Sequence, residues 1–157
     1  MRFALSYREV SIVRDAHWAV FLASKDGLGR RGLVDDWERE RKDKARERYE
    51  YFKNVCDELK QSIVVDSSGD SPLLTQAPQL RWTLGELEGE AEALHVYVAA
   101  STKSVDRTKR RKELQEDELR EILREEEDIA IARRLIEEFE AQANRARKTI
   151  VVDVEVA

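Results

Sequence analysis

Gly27, Gly29 and Gly32 spell G-x-G-x-x-G, a spacing that lets backbone amides close around a phosphate. A dinucleotide loop of this kind follows directly from a buried strand, opens a helix and finds an acid about 20 residues later. Here Ser24, Lys25 and Asp26 intervene, and a long charged segment follows. The spacing also matches the glycine-rich loop of protein kinases, but 157 residues leave no room for that fold, and neither H-R-D nor D-F-G follows. These glycines therefore read as a tight turn between two antiparallel helices, with Arg30 and Arg31 at its tip. A small enzyme using the 27–32 loop is the second alternative reading of function.

The remaining reactive residue types are sparse. Glu92 and His95 have the E-x-x-H spacing that puts a carboxylate and an imidazole on one helical face, as in di-iron bundles. Such sites need a second pair, and His17 has Arg14 rather than an acid three residues before it. One imidazole and one carboxylate do not make a metal centre. Cys56 is the only cysteine, which excludes an internal disulfide and any multi-cysteine zinc site. It falls on an apolar helical stripe with no His/Asn partner pattern, so a buried, inert thiol is expected. The acids of residues 124–130 read as a solvated face. No catalytic constellation is complete, so the expectation is a protein without catalytic residues, metal or cofactor, and without a small-molecule substrate.

The elements that would position any site are long and charged. Charged residues make up 39% of the chain and aromatics 7%, a balance that favours solvated helices over a thick globule. Ser6 and Glu9 have capping-box spacing before a helix expected over residues 7–25. Phe3, Leu5 and Tyr7 alternate with Arg2, Ala4 and Ser6, which keeps a strand open for the first residues. Residues 16–23 (AHWAVFLA) are apolar on every side apart from His17, so they should be buried all round or shared with another chain. A second helix is expected over 36–63, with Trp37, Ala45, Tyr49, Phe52, Cys56, Leu59 and Ile63 as its core stripe. Residues 38–48 hold only Ala45 as an apolar residue and should project into solvent or meet a charged partner.

Residues 65–79 contain both prolines, Pro72 and Pro78, with Gly69 and a serine cluster, and read as a linker. Thr83 and Glu86 form another capping box, followed by Leu84, Leu87, Ala91, Leu94 and Val98 at coiled-coil spacing. Gly85, Gly89 and Ala93 lie beside that seam. Glycine costs about 1 kcal/mol in a helix interior, so a second backbone is expected to pack close to them. A break or a kink is expected at 101–106, then a last helix over 107–147 with Leu114, Leu119, Ile122, Ile129, Ile136, Phe139 and Ala143 toward one side. Residues 149–157 (TIVVDVEVA) alternate like a strand, which needs a mate.

Charge is segregated within a net of −5: six cations and one acid in residues 103–112, then seven cations and fourteen acids in 113–157. Lys103, Arg107, Lys109, Arg110, Arg111 and Lys112 could neutralise phosphates, and Arg46, Arg48, Tyr49, Tyr51, Phe52 and Lys53 interleave cations with rings that could stack bases. An accessory nucleic-acid-binding protein using the basic segment is thus the first alternative. The acidic run directly after that segment favours helix pairing instead.

The sequence therefore points to an all-α protein: two antiparallel helical hairpins forming an elongated bundle or coiled coil, with a short C-terminal β-strand. Its expected divisions are an N-terminal hairpin (1–64), a linker (65–79), a C-terminal hairpin (80–148) and a strand (149–157). The leading functional expectation is a non-catalytic assembly or adaptor subunit, a homo-oligomer or part of a larger complex. Its expected interface comprises Trp18, Phe21, Leu84, Gly85, Leu87, Gly89, Leu94, Val98, Val152 and Val154. No apolar run approaches the ~20 residues of a membrane span and no signal-peptide core follows Met1, so a cytoplasmic location is expected.

Overall fold

The computed structural model describes residues 2–24, 36–65, 79–111 and 113–156. The chain is all-α in class. Its elements run β1 (Arg2–Ala4), α1 (Tyr7–Ala23), α2 (Asp36–Val65), β2 (Gln79–Arg81), α3 (Leu84–Lys109) and α4 (Glu116–Val156). Two compact units divide it, one of residues 2–80 and one of residues 81–157 with Met1.

In the first unit α1 packs against α2. Ser6 caps α1: its side chain accepts from the Glu9 amide at 3.2 Å, while Glu9 Oε1 accepts from the Ser6 amide at 2.9 Å. Two otherwise orphaned helix-end donors are thereby satisfied, and the start of α1 is fixed locally. Contacts descend along α1 as they climb α2: His17 stacks on Phe52 at 5.5 Å, Trp18 meets Tyr49 at 5.0 Å, and Lys42 lies 4.6 Å over Phe21. The two helices thus run antiparallel. Val10, Val13, Ala16 and His17 of α1 and Ala45, Phe52 and Cys56 of α2 are buried. Trp37, expected on the core stripe, is instead 61% exposed. Residues 38–48 do not simply project into solvent, because buried Ala45 and the Lys42–Phe21 contact hold this turn of α2 on α1. The strand alternative for the first residues is realised, with β1 paired to β2. The linker expected over 65–79 and the turn at residues 27–32 lie almost wholly outside the described residues.

In the second unit Thr83 caps α3 with the same reciprocal pair, Thr83 Oγ1 accepting from the Glu86 amide and Glu86 Oε1 accepting from the Thr83 amide, both at 3.2 Å. Trp82 packs edge-on against Phe139 of α4, with centroids 5.2 Å apart. Leu87, Ala91 and Leu94 of the expected seam are buried, and so are Ala132, Leu135, Ile136, Phe139 and Ala143 of α4. Leu119, placed by its spacing with the α4 core, is 47% exposed.

Two boundaries differ from expectation. The break at 101–106 is absent, since α3 runs on to Lys109. Val105 is buried with Ile122 and Ile129, and Val98 and Leu114 pack against that cluster, so the apolar contact carries the helix past its polar residues. The turn falls later, with Arg110 as C-cap and α4 beginning at Glu116. At the other end α4 continues to Val156, so helix replaces the strand expected over 149–157. Extending an existing helix avoids the nucleation cost, and each β-branched residue loses only about 0.5 kcal/mol relative to a good helix former. A strand without a mate has no comparable gain.

Candidate interaction surfaces

The α3–α4 pair is closed by charges that bridge the two helices. Near the start of α3, Arg147 donates to Glu88 Oε1 from Nε at 3.0 Å and from Nη2 at 2.5 Å, and from Nη1 to Asn144 at 2.9 Å. About two α3 turns further on, His95 Nε2 lies 2.8 Å from Glu140 Oε1. Toward the end of α3, Lys109 reaches Glu126 at 2.5 Å and Arg111 lies 3.7 Å from Glu118. Partner numbers fall on α4 as they rise on α3, so this pair is also antiparallel.

Glu88, Glu92, His95, Glu140, Asn144 and Arg147 line a cleft of about 350 Å³ between α3 and α4. The structure joins His95 to Glu140 on the facing helix, a partner the E-x-x-H spacing does not reveal. The signal that could have found it is charge complementarity between antiparallel helices, which needs the register first. In this cleft the Glu88–Arg147 and His95–Glu140 pairs bridge the two helices. Among the described residues, no group of three or more His, Cys, Asp or Glu could hold a metal ion.

The basic segment is drawn into the same set of bridges. Lys109 and Arg111 face acids of α4, and the bond to Glu126 raises the pKa of the Lys109 ammonium. Arg110 serves as the C-cap of α3, Lys103 and Arg107 are exposed, and Lys112 lies outside the described residues. His17 is a packed ring against Phe52. Cys56 is buried, and burial pushes its thiol pKa up against a smaller opposing pull from Arg14, which makes the thiolate scarce near neutral pH.

The expected interface residues divide into groups. Leu87 and Leu94 are fully buried within this one chain, and Leu84 and Val98 are half-buried. Gly85 and Gly89 do not mark a close backbone approach here, because a Cβ at either would meet no atom within 4 Å. Val152 and Val154 lie in the last turns of α4, with their side chains outside the description. Trp18 and Phe21 do form an open surface. Their rings stack at 4.9 Å, Trp18 is 40% exposed, and Leu22 one turn on from Trp18 is 67% exposed. The stretch that looked apolar on every side is thus covered on one face only.

A second uncovered apolar pair was missed. Leu119 and Leu123, 47% and 61% exposed, lie four residues apart on α4, beside the face that buries Ile122, Ile129 and Ile136. A helical projection of α4 puts Leu119 about 60° and Leu123 about 100° round from Ile122, at the edge of the isoleucine face rather than within it.

Comparison with known proteins gives no matching family model, no matching curated protein and no matching solved structure. Among the described residues, no helix is long and apolar enough to cross a membrane.

Proposed function

We propose that this protein is a non-catalytic assembly or adaptor subunit of the cell interior that works through protein–protein contacts made by its helical pairs. The observation that supports it is the open apolar surface of α1: Trp18, Phe21 and Leu22 stand outside a helix pair whose interior is already filled by Val13, Ala16, Val20, Ala45 and Phe52. Large apolar side chains grouped beside cations, rather than scattered, mark contact sites, and tryptophan and tyrosine supply much of the affinity where they become buried.

Nucleic-acid binding by the basic segment draws less support, since two of its cations already lie against carboxylates of α4. An enzyme built on the 27–32 loop has no further support, as those residues lie outside the described part of the chain.

The test is solution mass by light scattering at tens of micromolar, with the 260/280 nm absorbance ratio read on the same peak. A mass above that of one chain with a protein-like ratio is expected. A monomer that also captures no protein from its host's lysate removes the reading, and a nucleic-acid-like ratio replaces it with the alternative.

A further inference from the structure

Two uncovered surfaces of this chain are opposite in charge and alike in spacing. The first is the α1–α2 flank. Leu22 follows Trp18 by four residues, Tyr49 packs beside Trp18, and Lys42 sits over the Phe21 ring. On α2, Lys42, Arg46, Tyr49 and Lys53 recur at helical spacing on one face, so the rings are edged by three cations; against these stand Glu38, four residues before Lys42, and Asp15, three before Trp18, the latter paired with Arg14 at 3.0 Å, while Arg46 lies 3.7 Å from Asp43.

The second surface is the outer face of α4. Leu123 follows Leu119 by four residues, and Glu116, Glu127 and Ala130 fall on the same face, all of them exposed. Residues 116–128 hold eight acids and two arginines spread around the helix; on the Leu119–Leu123 face itself lie Glu127 and Glu116, the latter paired with Arg120 at 3.1 Å. Each surface thus presents two apolar side chains one turn apart, a separation of about 6 Å along the axis.

From this we infer that the acidic α4 face of one copy docks on the cationic aromatic flank of α1 and α2 in a second copy. Leu119 and Leu123 pack between Trp18 and Leu22, while carboxylates of α4 face Lys42, Arg46 and Lys53. Like-with-like pairing is disfavoured, because flank on flank would bring cations together and α4 on α4 would oppose two dense acidic runs. The contact joins two different patches, so it is heterologous and propagates into a ring or an open chain. The inference rests on the assembly reading above and adds the partner and the geometry.

Two variants test it. Leu22→Glu places an acid on the flank, and the double variant Leu119→Gln with Leu123→Gln removes the apolar pair of α4. All three positions are exposed, and unchanged circular dichroism and melting temperature establish that each variant folds. Sedimentation velocity from 5 to 200 µM is the readout. The wild type should assemble with concentration, and each variant alone should self-associate at least roughly tenfold more weakly, the effect of losing an interface anchor.

Mixed at equal concentration, the two variants should form a one-to-one pair and stop there, since only one intact flank and one intact α4 face remain. Assembly of either folded variant at wild-type strength, or no pairing on mixing, overturns this contact while leaving the assembly reading in place. A wild type that stays monomeric across the range overturns it too, and leaves a different protein as the only partner open to the assembly reading. Should either variant fail to fold, Lys42→Glu replaces the first and Glu127→Lys the second, with the same outcomes.

Discussion

Glu125 sits on α4 one turn after Glu121 and three residues before Asp128. Partial burial raises its carboxyl pKa above the ordinary glutamate range, and the two neighbouring charges add to that rise. A carboxylic acid whose folded pKa is raised costs stability when ionised. The cost is complete above the folded pKa and vanishes below the unfolded one. Glu125→Gln should therefore stabilise the protein at pH 7, with relief of the i, i+4 repulsion from Glu121 contributing about 0.2 to 0.5 kcal/mol beside the relief of burying the charge. The gain should shrink as pH falls through the glutamate range, and thermal melts of both proteins at pH 7 and pH 4 check it. An equal gain at both values would point to helix propensity as the cause.

At the scale of elements, what is settled locally was legible and what is settled by distant contacts was not. Both capping boxes were readable because donor and acceptor lie three residues apart. The end of α3 was not, because Val105 is held by Ile122 and Ile129 across a turn that the sequence does not show. β2 escaped notice for the same reason, since three residues carry little pattern until a mate such as β1 is known. The two glycines of α3 were legible as a cost, and the close contact expected at them is not one this chain makes with itself. With no atom within 4 Å of a Cβ at Gly89, Gly89→Ala should raise stability by up to about 1 kcal/mol, or about 2 to 4 °C in Tm for a chain of this size. Calorimetry checks this, and a loss of stability would show that something does occupy that face. Of the candidate interaction surface, Trp18 and Phe21 were visible in an over-apolar helix. Leu119 was assigned to the core because one-sided spacing is ambiguous by a residue or two along 41 residues of helix.

For the whole molecule, the net charge of −5 says less than its separation along the chain into cationic and acidic segments. Self-association steered by such segments should weaken as salt shortens the screening length from about 10 Å at 0.1 M to about 3 Å at 1 M. Sedimentation at 0.05 and 0.5 M salt checks this. Assembly that strengthens with salt would mean that the apolar side chains act without help from the charges.

The ladder of bridges between α3 and α4 also decides how far one helix may slide along the other. A slip of one heptad would keep apolar residues roughly opposed, so greasy matching alone would tolerate it. Displacing α4 one way sets Glu140 where Arg147 had been, against Glu88; displacing it the other way sets Arg133 where Glu126 had been, against Lys109. Either misalignment places like charges face to face, so these exposed pairs, weak as sources of stability, disfavour a one-heptad slip in both directions.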